Sequence, residues 1–545
     1  MMTIHREISY GGFKQVFAVS VGLFLVFLDT TIVNIAMPSM TRDLQIELGA
    51  ASWIINAFVI TVAVLLVALG KLADIFGSYR TYMAGLLLFM IASLLCGFAP
   101  NASSLIVYRV LQGIGAAAVI PASMVLVRTA VPPNKVGAAM GVWGGIGALA
   151  IAIGPSLGGL ITKFWSWEWI FFINLPVVAI STPLATLVFA NYKERRAPFR
   201  MDILGVVTLS ASLFFFTYGI LQGQEEGWGS VPIIFAFIIS LVSALSFLYI
   251  ESKVKNSLIE LEMLRNRVFM AGMAANFLSG VLLMGTLVLL PVYFTQVKGF
   301  DILTASLMIT PLSAVMLVVA PLIGRLIDTM GYFTPMLIGF VFAITGFCLL
   351  SMLQADVGNG YLIAIMAIAG TGIGILMVTS VTIGTASIPE KDVSLGSAVY
   401  ATTRNMGGAV GVALFVSVTL SFTQAYSTKV VDDGIQSIVQ ADLPAHIETR
   451  AIQLLEGKAD TFFDDAANER EDASAFELSD TERRQLEESG KLAEVTEKIQ
   501  GVVREMKALA KDYMTRAMAK AFACGLVLSV LLSISLPFLR ERKEY

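Results

Sequence analysis

The chain has 545 residues, of which 56% are hydrophobic and only 14% charged, and its mean hydropathy is +0.78. That balance excludes a soluble globular protein and points to a polytopic membrane protein. The net charge of -3 conceals an asymmetry, because residues 424–516 carry about half of the 40 Asp and Glu residues and read as a separate unit.

Runs of roughly 20 mostly apolar residues, enough to cross a bilayer as a helix, number fourteen. They fall at 14–37, 50–69, 81–99, 103–127, 137–161, 169–190 and 203–222, then at 231–250, 269–294, 304–326, 334–353, 361–385, 399–423 and 517–539. The first run is long enough to span and has no small-residue cleavage site, so it is expected to stay as span 1. It contains "FLDTTIVNIAMP" (27–38), which puts Asp29 in lipid. A charge at the centre of a membrane helix costs about 2.5 to 3.5 kcal/mol, so Asp29 is a functional candidate. The alternative is a structural Asp that caps or hydrogen-bonds within the helix bundle.

The loop expected after span 2 reads "GKLADIFG" (70–77) and the one after span 10 reads "GRLIDTMG" (324–331), a shared G-[KR]-L-x-D-x-x-G pattern. Two copies at equivalent places imply a duplication: six-helix bundles made of spans 1–6 and 9–14, with spans 7 and 8 inserted. The expected units are 1–198, 199–262 and 263–545. Gly70, Gly77, Gly324 and Gly331 would let helix ends approach closely. Asp74 and Asp328 would accept bonds from a neighbouring helix N-terminus and lock one closed state.

Arg109 lies near the start of span 4. With Gln112, Gly113 and Ala116 it shares a helical face, expected to line a central cavity. An intramembrane Arg keeps its charge and needs a partner, for which Asp29 is the candidate. Burial and a neighbouring cation pull a carboxyl's proton affinity in opposite directions. A change of distance or hydration could therefore switch proton occupancy. In span 5, "GPSLGG" (154–159) sets Gly154 and Gly158 on one face beside Gly159, with Pro155 removing a backbone bond. A tight, bent helix sealing against the other bundle is expected, or else an ordinary packing kink. Asn34, Asn56, Gln112, Gln222, Asn276, Gln296, Arg404 and Asn405 are candidates for a substrate cavity, each with interhelical hydrogen bonding as its alternative. The 34 Phe and 24 Met suit an adaptable apolar pocket.

In the acidic insert, Leu492, Val495, Ile499, Val502, Met506, Leu509 and Tyr513 recur at helical spacing. Span 14 is expected to project beyond the membrane and pair with a helix around 445–455 as an external hairpin. That hairpin could dock a periplasmic or extracellular partner, shape an exit path, or be a solvated ornament. Lys and Arg concentrate in alternate short loops, including Arg6, Lys71, Arg80, the "YKERRAPFR" loop, Lys255, Lys391 and the tail "RERKEY". Both termini are therefore expected on the cytoplasmic side of a plasma membrane, the bacterial inner membrane. Cys96, Cys348 and Cys524 match neither a disulfide framework nor a metal site. There is no phosphate-cradling loop, zinc-ligand cluster or nucleophile elbow. No metal, cofactor, nucleic-acid partner or enzymatic activity is expected.

Taken in order, "LDTTIVNIAMP" (28–38), "GKLADIFGSYR" (70–80), "YRVLQGIGAAAVIPAS" (108–123), "GALAIAIGPSLGGLI" (147–161), "WSWEWIFFINLPV" (165–177) and "TRNMGGAVGVALF" (403–415) resemble the major facilitator superfamily, in its fourteen-helix drug:proton antiporter branch. The resemblance implies an all-α major facilitator fold. It also implies proton-coupled export of lipophilic, often cationic compounds by alternating access, driven by the proton gradient. Asp29 and Arg109 would be the coupling residues, and the partners would be small lipophilic substrates, protons and membrane lipids. The chain departs from the pattern at Ile75, Ser78 and Tyr79, where the loop motif usually carries basic residues. Span 10 also has no acid before Asp328, which argues against efficient dication export. A lipid or glycolipid exporter is the second reading, and a non-transporting receptor or scaffold the third.

Overall fold

Inside a bilayer every backbone N–H and C=O must be satisfied within the protein, so a chain of this composition has helices or a closed barrel open to it. The computed structural model describes residues 12–46, 48–190, 192, 194, 202–254, 265–386, 393–457, 480–488 and 490–539, and among these there is no β-strand. Arg6, residues 195–200, Lys255, Lys391, the polar stretch 464–479 and the tail 540–545, all used in the sequence reading, lie outside the described residues.

The helices are α1 (Phe13–Leu44), α2 (Leu48–Phe76), α3 (Ser78–Gly97), α4 (Ala102–Thr129) and α5 (Val136–Phe164). The short α6 (Trp169–Phe172) runs into α7 (Asn174–Val188), followed by the pair α8 (Ile203–Glu226) and α9 (Val231–Glu251). Then come α10 (Arg267–Val292), ending in a π-helical turn at Tyr293–Val297, α11 (Ile302–Met330), α12 (Phe333–Ser351), α13 (Asn359–Ala386) and α14 (Val393–Gln440). Beyond the bilayer lie α15 (Ala445–Gly457) and α16 (Asp480–Glu488), and α17 (Leu492–Ser533) returns into it. Counting α6 and α7 as one, 14 segments are long and apolar enough to cross a membrane, at the places the apolar runs mark. Side chains just outside the spans stop the helices fraying: Asn101 forms a reciprocal capping pair with Ser104, and Asp202 accepts from the Gly205 N–H at 3.0 Å. Caps of this kind contribute about 1 kcal/mol each.

Helices α1 to α7 pack as one bundle and α10 to α14 with α17 as a second, while α8 lies against α2 and α14 and α9 packs on α8. The bundles meet mainly where α5 runs along α11 and α2 along α14. Two details differ from the sequence reading. The repeated "GKLADIFG" and "GRLIDTMG" stretches are the last turns of α2 and α11 rather than loops, and each helix breaks only at its final glycine. Gly77 has φ of 102° and Gly331 of 76°, a region in which a side chain is strained, so glycine is what allows the chain to turn there.

The second difference concerns the insert. The outer part of α17 does share a core with α15, but its antiparallel partner is α14, which continues into the unit as an unbroken helix of 48 residues. At 1.5 Å per residue that is about 72 Å, more than twice a hydrocarbon core. Hydropathy falls after residue 423, yet Val431 and Ile438 still recur at helical spacing and are buried with Leu455, Val495, Val502 and Met506. Burial thus maintains the helix where the membrane stops. Tyr513 donates to Asp433 at 2.7 Å across the pair, and Asp442, with φ of 48°, makes the turn into α15.

Replacing Leu455 by Asp puts an unpaired carboxylate into this small core, at a cost of about 3 kcal/mol. The expected result is a several-fold rise in protease cutting within residues 440–505 while the membrane part stays monodisperse. Unchanged cutting would mean that the three helices do not form one packed unit.

Candidate functional site

A guanidinium buried at membrane depth must have its charge matched and its donors satisfied, and the N-terminal bundle is built around that requirement. Asp29, Arg109 and Gln112 are all fully buried. One Nη of Arg109 donates both to the Asp29 carboxylate, in close contact, and to Gln112 Oε1 at 2.6 Å. Gln112 Nε2 closes the ring by donating to the other Asp29 oxygen at 2.9 Å, and it also reaches Ser93 Oγ at 2.8 Å. Asn174 donates to the same hydroxyl at 3.2 Å, and Arg109 Nε donates to the Ile54 carbonyl at 3.0 Å. The Phe58 ring covers the guanidinium at 4.3 Å, an arrangement that contributes up to about 2 kcal/mol when desolvated. Five elements, α1, α2, α3, α4 and α7, thus converge on one ion pair.

This arrangement corrects one expectation. The stripe of Arg109, Gln112, Gly113 and Ala116 does not line a central cavity: it is buried inside its own bundle, and a Cβ on Gly113 would press on Thr61 and the Phe58 carbonyl of α2. The reason is energetic, since a carboxylate, an amide and a carbonyl in the bundle solvate the cation better than an apolar seam would.

The seal between bundles also lies elsewhere than the "GPSLGG" stretch. Gly154 and Gly158 pack on Thr31 and Ile32 of α1, within the N-terminal bundle, with Pro155 and Gly159 half-buried beside them. The contact with the other bundle is made by the first half of α5. A Cβ on Gly137 would overlap the Gly324 carbonyl oxygen, one on Gly141 the Ala320 carbonyl, and one on Gly145 would touch Leu317. Glycines four residues apart make this face backbone-thin, so α5 and α11 touch main chain to main chain. At the end of this contact Asp328 accepts from the Gly137 and Ala138 N–H groups at 3.0 and 3.2 Å. Those N–H groups begin α5 and have no partner within the helix, and the helix dipole favours an anion there. The seam is therefore closed at this end by one carboxylate on a helix terminus. Gly70 is buried and Asp74 half-buried in the equivalent last turns of α2, which packs on α14. In the first copy a carboxylate from outside the motif, Glu194, sits at the start of α3. It accepts from the Arg80 N–H at 2.9 Å and occupies the space above Gly77.

The cavity candidates separate. Gln112 belongs to the ion-pair network. Asn276 ties helices together, donating to the Tyr400 carbonyl and accepting from Ser380. Gln296 is half-buried in the π-helical turn, and Asn34 is exposed on α1. Arg404 stands at the seam, with its guanidinium 4.7 Å from the Phe27 ring of the opposite bundle. Sequence reasoning missed Ser93 and Asn174, whose signal is a small or amide side chain inside an apolar run. It also missed the Gly137, Gly141, Gly145 series, which is legible as three glycines at four-residue spacing.

Two helical bundles meeting along a glycine-lined seam, with a charge pair buried at membrane depth, define a membrane transporter. The family model described as Major Facilitator Superfamily matches residues 19–412, and the chain belongs to that superfamily. Relatives include the tetracenomycin C resistance and export protein of Streptomyces glaucescens, 30% identical over 397 residues that cover 73% of this chain and 74% of that one. The multidrug resistance protein Stp of Mycobacterium tuberculosis is 29% identical over 432 residues, covering 78% and 80% of the two chains. Among solved structures, the human organic anion transporter MFSD10 shares the fold at a TM-score of 0.53 and 14% identity, over 74% of this chain and 93% of that chain.

Two outcomes follow from the geometry. Asp29→Asn leaves Arg109 charged and buried without its counter-ion, a loss of about 3 kcal/mol or more, which the double change Asp29→Asn with Arg109→Gln partly restores. Unfolding titrations in mixed micelles would read both. Gly137→Val prevents α5 from closing on α11. A cysteine at Ala320, with the native cysteines replaced, should then react at least ten times faster with a soluble maleimide; an unchanged rate would mean the seam tolerates the extra volume.

Proposed function

We propose that the protein exports lipophilic compounds, of the drug and antibiotic kind named for its relatives, in exchange for protons, by rocking its two bundles about a substrate site at the seam. The observation that carries the reading is the Asp29–Arg109–Gln112 ring, an ion pair fully buried at membrane depth in a chain related to resistance and export proteins. Asp29 is the proton carrier. In the sealed state it is bonded to Arg109 and Gln112. When rocking separates or hydrates the pair, the carboxylate takes a proton from the acidic side and releases it when the pair re-forms. One charge moving through 100 mV supplies about 2.3 kcal/mol, enough to drive an uphill step.

The side reading rests on loop charge. The face where α2 and α11 end carries Lys71, Arg80, Arg128, Lys135 and Arg325 and is the cytoplasmic face, which sets both termini in the cytoplasm and the acidic hairpin outside. The Asp328 contact with the start of α5 is then the lock that closes the cytoplasmic entrance. Substrates, protons and membrane lipids are sufficient partners, and the proton gradient is sufficient drive without a cofactor.

The test is substrate-dependent proton movement in proteoliposomes holding a trapped pH dye, with a panel of neutral, cationic and anionic lipophilic compounds. Wild type should release or take up protons when substrate is added. Asp29→Asn should lose gradient-driven transport at least tenfold while keeping substrate exchange between equal concentrations. Full proton-coupled transport by this variant would remove Asp29 from the mechanism.

A further inference from the structure

A second guanidinium lies at membrane depth, and nothing in the mechanism above uses it. Arg404 is about 12 Å into the α14 span from Gly396. Its carbonyl abuts Gly280 of α10, so the backbone is fixed, while its half-buried side chain reaches across the seam. On the far side lies the Phe27 ring of α1, 4.7 Å from the guanidinium carbon. Its one further polar contact is the Met377 sulfur of α13, 4.0 Å from Nη1, and sulfur is a weak acceptor. Among the described residues no carboxylate lies within ion-pair distance of it.

The contrast with Arg109 is chemical. Arg109 spends its donors on Asp29, Gln112 and the Ile54 carbonyl. Arg404 has a full positive charge, five donors and only a ring face and a sulfur to meet them. A cation kept at the seam without an anion is a costly choice for a structural residue, and a planar fork of donors matches a carboxylate. The surroundings suit an apolar body attached to that carboxylate. Phe27 packs over Gly147, and Gly144 faces Met377 and Val378, so α1, α5 and α13 present aromatic, thioether and glycine surfaces beside the charge. The carboxylates described in the spans of the two bundles and of α8 and α9 are elsewhere: Asp29 is bound to Arg109, Asp74 and Asp328 lie in the last turns of their helices, and Glu225, Glu226 and Glu251 lie at the ends of α8 and α9.

We propose that Arg404 is a substrate-recognition residue at the bundle seam, and that the compounds it selects are lipophilic anions whose acidic head pairs with its guanidinium while the apolar body lies against Phe27 and Met377. This rests on the export reading above and names a substrate class for it. Phe27 covers the charge when no anion is present, so substrate binding replaces a cation–ring contact between bundles by an ion pair.

The test uses three probes with one apolar body: pyrenebutyrate, pyrenebutanol and pyrenebutyl-trimethylammonium. Binding is read as energy transfer from the protein's tryptophans, using full-length protein in phosphatidylcholine nanodiscs with empty discs as blank. Wild type should bind the anion at least ten times more tightly than the cation, with the alcohol between them. Arg404→Gln should erase that order by weakening the anion alone, and Arg404→Lys should retain part of it. Equal affinity for the three heads in wild type, or an equal loss for all three in Arg404→Gln, overturns the proposal and leaves Arg404 as a latch on Phe27. Repeating the measurement with phosphatidylglycerol in the disc identifies the source of the anion: competition assigns the site to a lipid phosphate, and unchanged binding to a soluble acid. No gradient is imposed, so failure here leaves proton-driven export standing. An intact head-group order in a protein that moves no protons would instead remove the export mechanism and keep the site.

Discussion

The constraint on which the N-terminal bundle depends is that a guanidinium cannot be left uncompensated in a medium without water. Arg109 carries a planar, five-donor cation, so its neighbours have to supply everything that solvent would. Asp29 gives the charge, Gln112 bridges the two, Ser93 and Asn174 extend the chain of bonds into α3 and α7, and Phe58 closes the top. Asp29, Arg109, Gln112 and Ser93 are each bonded to more than one other, with Asn174 and Phe58 as end members, so the network ties five helices together as well as balancing charge. Breaking one link exposes the rest, so the bundle keeps this arrangement as long as water stays out of the ring.

Helix α1 carries a partner of each of the two guanidinium groups described above, Asp29 for Arg109 and Phe27 for Arg404. Phe27 and Asp29 are two positions apart, a rotation of about 200° on a helix, so one faces Arg404 across the seam and the other faces Arg109 inside the bundle. A turn of α1 about its axis acts on both at once. Elsewhere the seam is governed by what is absent: Gly137, Gly141 and Gly324 remove the side chains that would separate α5 from α11, and Asp328 adds the one polar contact that ends the groove. That contact is made of two part-buried backbone donors and a single carboxylate, whereas the Asp29 ring is fully buried in this state.

The number of spans and the pairing of Asp29 with Arg109 were legible because they follow from local rules: hydropathy at the length of a bilayer, and the need of a buried cation for an anion. What was illegible is direction. Helical spacing puts Arg109, Gln112, Gly113 and Ala116 on one face, but not whether that face looks inward or toward the seam, because both are apolar surroundings in a membrane protein. The same ambiguity misplaced the role of Gly154 and Gly158, which serve α1, and hid that of Gly137 and Gly141, which serve α11. The end of span 13 was misjudged for a related reason. Hydropathy reports lipid, and α14 leaves lipid only to be buried again by α15 and α17.

The projecting hairpin has a mechanical consequence. Both of its long helices, α14 and α17, continue without interruption from spans of the same bundle. It is a rigid arm fixed to one moving part, about 40 Å from the bilayer centre to its tip. A tilt of that bundle by about 10°, which moves buried residues by an ångström or two, would sweep the tip through roughly 7 Å. Such a tilt would be magnified at the tip, which makes the arm a natural label site for distance measurements and an alignment mark for imaging.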